Sequence, residues 1–257
     1  SGCAADPGII QYTYEVLDSC GNTTNCLQTF TIIDTVPPVM TIPANAVVQC
    51  GGDTSTTVLG SATATDNCTG GPAIGFSDAI VPGACPQEFT INRAWTAMDD
   101  CGNAVTNTQV ISVVDTSAPA ITLPPDAVVA CDGDTSTNAL GVATGLDNCS
   151  ATVTVGFVDV ITPGACPQAF TITRTWTVTD ACGNSNSGDQ TITVVDTTAP
   201  VLSIPADAVI ECGGDTRTNA LGVATATDNC STNSTISFSD SAVAGACPDA
   251  QTITRTW

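Results

Sequence analysis

Residues 170–179, FTITRTWTVT, alternate without a break between large side chains and hydroxyls. Phe170, Ile172, Arg174, Trp176 and Val178 share one face, and Thr171, Thr173, Thr175, Thr177 and Thr179 share the other. A period of two marks a strand with one buried face. Comparable patterning predicts further strands over 119–123, 126–131, 139–145, 151–158 and 189–195, with the first spanning 169–179. Pro, Gly, Asn and Asp punctuate the gaps. Helical periodicity is not sustained over a useful length, so the chain reads as all-β.

The same line returns as FTINRAWTAM at 89–98 and begins again as QTITRTW at 251–257. The period is 81 residues: Cys20, Cys101 and Cys182 keep it, as do Cys50, Cys131 and Cys212, then Cys68, Cys149 and Cys230, then Cys85, Cys166 and Cys247. Asp34, Asp115 and Asp196 keep it too, and so do Tyr14, Trp95, Trp176 and Trp257. Self-similarity of this kind predicts a repeat architecture. The expected divisions are the end of one unit at 1–35, complete units at 36–116 and 117–197, and the start of another at 198–257. Both ends fall inside a unit, which predicts a segment of a longer array. A unit of this length with several short strands and one apolar face predicts an immunoglobulin-like β-sandwich. Its thin core calls for staples.

Charge narrows the partners. There are 25 acidic residues against 4 basic ones, no His, and a net charge of −21. Such a surface repels nucleic acid and anionic membranes and suits divalent cations. No apolar run is long enough to span a bilayer as a helix. Fourteen cysteines without a CxxC pair and without His argue against zinc and for disulfides, hence for a secreted, cell-surface protein.

PPVMTIP, TATDNC, TRTWTVTDACGN and VVDTTAP together resemble the hyaline-type repeat and related bacterial immunoglobulin-like repeats. The resemblance covers the whole chain. It implies tandem sandwiches in giant secreted adhesins or surface appendages of gliding and predatory bacteria. One departure is plain. That family often pairs a first-strand Cys with a last-strand Cys, and only Cys26 stands at the last-strand place; Asn107 and Gly188 occupy it in the complete units.

Four cysteines per unit allow three pairings. Cys85 and Cys101 flank one long strand of roughly 33 Å, too far apart for a bridge. In an immunoglobulin-like topology Cys50 and Cys85 share one pole, and Cys68 and Cys101 the other. The expected bridges are therefore Cys50–Cys85, Cys68–Cys101, Cys131–Cys166, Cys149–Cys182 and Cys212–Cys247, with Cys26 unassigned.

Arg93, Arg174 and Arg255 each stand two residues before a Trp: Trp95, Trp176 and Trp257. Either they capture an anion, or they are structural, lying on the indole and reaching an acid at the sandwich edge. The sequence favours the structural role, with Asp78, Asp159 and Asp240 as the acids. Acidic segments converge at the other predicted pole: Asp34, Asp66 and Asp99, then Asp115, Asp147 and Asp180, then Asp196 and Asp228. Three close carboxylates invite a hard cation, and calcium is the expected one. The competing reading is ordinary Asp and Asn turn chemistry.

These features predict a structural repeat of an extracellular stalk or filament serving attachment, gliding or prey capture. Its partners would be further repeats of the same chain, identical chains in a filament and a cell-surface target. The alternative is a glycan- or protein-binding module using the variable stretches 69–75, 150–156 and 231–237. With no His, no Lys and no phosphate-binding glycine loop, no enzymatic activity is expected.

Overall fold

The computed structural model describes residues 2–3, 7–68, 71–166, 168–246 and 249–257. By contacts the chain divides into two compact units. The first comprises residues 1–119 with 146–153 and 179–185, and the second comprises 120–145, 154–178 and 186–257.

The first unit opens with the hairpin β1 (Gly8–Leu17) and β2 (Thr23–Ile32). There follow β3 (Val39–Thr41), β4 (Ala46–Gln49), the single turn α1 (Thr56–Leu59), β5 (Thr63–Thr65), β6 (Ala73–Pro82), β7 (Phe89–Met98) and β8 (Ala104–Val114). A four-stranded sheet runs β4-β8-β7-β6, and a small sheet pairs β3 with β5. β4 lies parallel to β8, whereas β7 is antiparallel to both neighbours. The second unit repeats the order: β9 (Ala120–Thr122), β10 (Ala127–Ala130), α2 (Thr137–Leu140), β11 (Thr144–Leu146), β12 (Thr154–Pro163), β13 (Phe170–Thr179) and β14 (Ser185–Val195). Its first two sheets are β10-β14-β13-β12 and β11-β9. β15 (Val201–Ser203), α3 (Thr218–Leu221), β16 (Thr225–Thr227), β17 (Ser239–Ala244) and β18 (Gln251–Thr256) complete it. The all-β class expected from the alternation is the observed one. The expected strand at 139–145 is instead the turn α2 followed by β11, and the strand expected at 151–158 begins later and runs on to Pro163.

Alternation places the core. In β13 the buried residues are Ile172, Arg174, Trp176 and Val178, and in β14 they are Gln190, Ile192 and Val194. β7 and β8 bury the equivalent row, Ile91, Arg93, Trp95, Ala97, Gln109, Ile111 and Val113. The two glutamines make this row possible. Trp176 Nε1 donates to Gln190 Oε1 at 3.3 Å, and Gln190 Nε2 donates to Pro125 O at 2.9 Å. Trp95, Gln109 and Ala44 repeat the chain of bonds. A buried indole N–H is thereby satisfied and tied to the loop before the parallel strand.

The arginine is held in the same row. Arg174 Nε and Nη2 donate to Asp159 Oδ1 and Oδ2 at 2.8 and 2.9 Å, and Nη2 also reaches Thr135 O at 3.1 Å. Its Cζ lies 4.6 Å from the Phe157 ring centre and 5.9 Å from Trp176. Arg93 with Asp78 and Phe76, and Arg255 with Asp240 and Phe238, repeat this geometry. The closer ring is the phenylalanine on the neighbouring strand, which faces the tryptophan and lies diagonal to the arginine, as Phe76 does opposite Trp95 in the first unit. Hydrogen bonding to the carboxylate raises the guanidinium pKa of all three arginines, against the opposing effect of desolvation. Arg217 is exposed, with Asp215 3.6 Å away.

The cysteines join differently from the expected within-repeat pairs. Among the described residues the bridges are Cys3–Cys101, Cys50–Cys149, Cys85–Cys182 and Cys131–Cys230, with Cα atoms 4.7, 5.9, 5.1 and 5.9 Å apart. Each links one sequence repeat to the next, and each lies inside one contact unit. The expectation put Cys50 and Cys85 at one end of the sheet, and both do lie there: Gln49 pairs with Val114, and Phe89 with Val113. β8 runs from that end straight into the following repeat, so the following repeat's loops bring in Cys149 and Cys182. The expected Cys50–Cys85, Cys68–Cys101, Cys131–Cys166 and Cys149–Cys182 are therefore replaced. Cys20, Cys26, Cys68, Cys166 and Cys212 are exposed thiols, and the expected Cys212–Cys247 involves a cysteine outside the described residues.

The Arg174 side chain is 4% exposed and that of Asp159 29%. Removing the acid strands a buried cation, so Asp159→Ala is expected to lower unfolding free energy in urea by about 3 kcal/mol. Replacing both partners, Asp159→Val with Arg174→Met, should cost clearly less. Equal losses in the single and double variants would show that the pair is not what holds this row.

Candidate metal centre

The local fold of each acidic loop follows from its sequence. In DACGN, Asp180 Oδ1 accepts the amides of Cys182 and Asn184, both at 2.8 Å, and Oδ2 accepts Asn184 Nδ2 at 2.8 Å. This closes the turn between β13 and β14, with Gly183 at φ +91° as the residue that can take a left-handed conformation there. In LDNCS, Asp147 Oδ2 accepts the amides of Cys149 and Ser150, each at 2.7 Å. In VVDTS, Asp115 Oδ1 accepts the Ser117 amide and Gln49 Nε2, each at 3.1 Å.

These three loops bring Asp115, Asp147 and Asp180 together, with one carboxylate oxygen from each inside a span of 4.8 Å. Asp115 is 4% exposed and Asp180 6%. Turn chemistry occupies both oxygens of Asp180 but only one oxygen each of Asp115 and Asp147. Among the described residues, Asp115 Oδ2 and Asp147 Oδ1 are buried and accept no hydrogen bond. Asn184 Nδ2 also donates to Asp115 O at 3.0 Å, which locks the linker to the turn. Buried, unpaired carboxylate oxygens are costly unless a cation joins them. Oxygen-only donors of this kind suit a hard divalent ion, calcium above all, with backbone carbonyls and water completing its shell.

Asp34, Asp66 and Asp99 form the equivalent group, again within 4.8 Å. Among the described residues no donor reaches the buried Asp34 Oδ2, Asp99 is bound by Cys101 and Asn103, and Asn103 Nδ2 reaches Asp34 O at 3.4 Å. Cys68 lies beside this group. Its pKa is pushed up by desolvation first and then by the charges of Asp34, Asp66 and Asp99. Asp18 supplies a comparison: the same turn with Cys20 and Asn22 forms there in an exposed hairpin. The turn is thus intrinsic to the sequence, and the carboxylate group is an addition to it.

Asp196 and Asp228 are not in a three-carboxylate group among the described residues. Ser231 Oγ donates to Asp196 Oδ2 at 3.2 Å, and Asp228 accepts the amides of Cys230 and Ser231. Asp53, Asp134 and Asp215 each accept an amide two residues on and form simple turns. Cys50, Asp115 and Cys149 also lie close, but the sulfurs are already joined to each other. Gln49 escaped the sequence reading. Its role as a second anchor for Asp115 depends on a parallel strand that local patterning does not reveal.

Residues 119–194 match the HYR-like domain with 4 cysteines, which supports a hyaline-type repeat. Hyalin of Lytechinus variegatus is 34% identical over 226 residues, covering 82% of this chain and 40% of that protein. Hyalin of Strongylocentrotus purpuratus is 31% identical over 211 residues, covering 77% of this chain and 17% of that protein. The chain thus spans less than half the length of either relative. Among solved structures, a protocadherin gammaB7 EC3-6 cis-dimer aligns over 93% of this chain and 72% of its own, at 14% identity and a TM-score of 0.36.

Acid should unpick the turns in a defined direction. Burial opposes the charged forms of Asp99 and Asp180, yet the hydrogen bonds from Asn103 or Asn184 and the turn amides outweigh it and hold both carboxyls below their usual value. A carboxyl lowered in the folded state stabilises the fold above its unfolded pKa of about 3.9. That contribution disappears as pH falls through the lowered value. Melting temperature in chelator should therefore hold from pH 7 to about 5 and drop below about 4. Asp180→Asn should make the drop shallower. An acid limb of unchanged depth in the variant would contradict this assignment.

Proposed function

We propose that this chain is a structural segment of an extracellular, adhesion-type repeat protein, a stalk whose repeat junctions are stiffened by calcium. The observation that carries the calcium reading is the pair of buried oxygens, Asp115 Oδ2 and Asp147 Oδ1, that accept no hydrogen bond from the described residues while Asp180 stands beside them. Asp115 comes from the linker, Asp147 from the loop after β11 and Asp180 from the β13–β14 turn. A cation shared by the three would tie the linker to both loops and remove its freedom to bend. Four bridges, a net charge of −21 and a repeated unit fit an oxidising setting outside the cell and a role built from length. The resemblance to repeats of bacterial surface proteins suggests attachment, gliding or prey capture as the setting. In each case further repeats, neighbouring chains and a surface target are the partners. The reading is non-enzymatic, since the paired acids sit in turns that bind their own backbone.

Thermal unfolding of the 257-residue chain with its bridges intact tests the calcium reading. Calcium at a hundredfold excess over its Kd should add about 2.7 kcal/mol to the folded state. Melting should then rise by several degrees over that in chelator. Asp147→Asn should lose a large part of the rise while melting normally in chelator. Coincident curves in calcium and chelator for the unaltered chain would remove calcium from the account.

A further inference from the structure

We propose that the bridges give this chain a load-bearing function: tension between its ends is carried by a short covalent path through the cystines and bypasses most of the folded chain. The proposal goes beyond the calcium reading and does not depend on whether a cation is bound.

The four bridges have sequence separations of 98, 99, 97 and 99, all longer than the 81-residue repeat. A bridge longer than the repeat lands beyond the place from which the next bridge departs. In the complete repeat of the first unit, one bridge arrives at Cys101 from Cys3, and another leaves from Cys85 to Cys182. A load entering at Cys101 need only travel back to Cys85 to leave again. Between these two cysteines lies β7, the strand paired on both sides, to β6 and to β8, and carrying the buried Arg93 and Trp95. The second family behaves alike: a bridge arrives at Cys149 from Cys50, and another leaves from Cys131 to Cys230. Cys20 and Cys68 occupy arriving positions of the pattern, and Cys166 and Cys212 departing positions. Cys26 has no counterpart in it.

The consequence is a limit on extension that noncovalent unfolding cannot exceed. Residues 85–101 reach at most about 55 Å when fully drawn out, against about 280 Å for a whole repeat. For this chain the shortest covalent route between the ends crosses Cys3–Cys101 and Cys131–Cys230 and leaves only residues 1–3, 101–131 and 230–257 in series. That route spans about 200 Å, whereas the unbridged chain would reach about 900 Å. Unfolding under load would loosen the segments hanging outside the route without lengthening the tether.

Single-molecule stretching of the oxidised chain, held by its two ends, reads this directly. The expected limit is about 200 Å, rising more than fourfold to about 900 Å after reduction. Within-repeat bridges, Cys50–Cys85 and its repeat-mates, would give about 500 Å instead. Cys131→Ser removes one link and reroutes the load through Cys3–Cys101, back along β7, and out by Cys85–Cys182. Its limit should be about 320 Å. Contour length at high force reports the bonds rather than the fold, so the variant remains informative even if its second unit is destabilised. An oxidised chain extending to 500 Å or more overturns the proposal, as does a Cys131→Ser chain that stays at 200 Å or reaches full length.

Discussion

A repeat of about 80 residues buries too little to be secure by itself. Here each complete repeat buries one row of side chains on each of two long strands, and the strand at the open edge, β6 or β12, is exposed along its length. What compensates is covalent. Cys50 and Cys149 are themselves part of the buried cluster with Val113 and Phe89, so the bridge is core as well as staple. The loops it fixes could not otherwise be held by so thin a layer. Each bridge closes a loop of nearly a hundred residues, the range in which restricting the unfolded chain is worth about 4–5 kcal/mol in the entropic account.

The bridges and the acids are one design. In DNC and DAC the carboxylate stands two residues before the cysteine and accepts that cysteine's amide, at Asp147 with Cys149 and at Asp180 with Cys182. Fixing the sulfurs therefore fixes the carboxylates. Gln49, next to Cys50, completes the arrangement by holding Asp115, and also accepts from Thr116 Oγ1 at 2.9 Å. Three negative groups are brought into contact by bonds that do not relax, and this rigidity sustains the buried, undonated oxygens that make the site a cation candidate. At Asp196 a serine hydroxyl supplies the missing donor, and no three-acid group is found there among the described residues.

Strand identity was legible because alternation in 170–179 is set by burial of one face, a local property. The cysteine poles were legible for a related reason, since the long strand separates Cys85 from Cys101. Pairing was not. Spacing alone is the same whether a cysteine meets its own repeat or the next, and only the run of β8 into the linker decides. The acids were legible as a convergence of three short segments, the linker after β8, the loop after β11 and the β13–β14 turn. Two contributors were hidden: Gln190, an ordinary polar residue that becomes buried because Trp176 needs an acceptor, and Phe157, which supplies the nearer ring to Arg174 from across the sheet. Both depend on which strands lie side by side, a tertiary fact that periodicity does not encode.

Everything above depends on cysteines of successive repeats being joined to one another. Mass spectrometry of the oxidised chain, cleaved without reduction and with free thiols blocked beforehand, tests it most directly. The structure predicts linked peptides containing Cys50 with Cys149, Cys85 with Cys182, and Cys131 with Cys230, together with blocked thiols at Cys68 and Cys166. Linked peptides joining Cys50 to Cys85 and Cys68 to Cys101 would contradict it. The repeats would then be separately stapled, and both the fixed acid cluster and the covalent load path would lose their foundation.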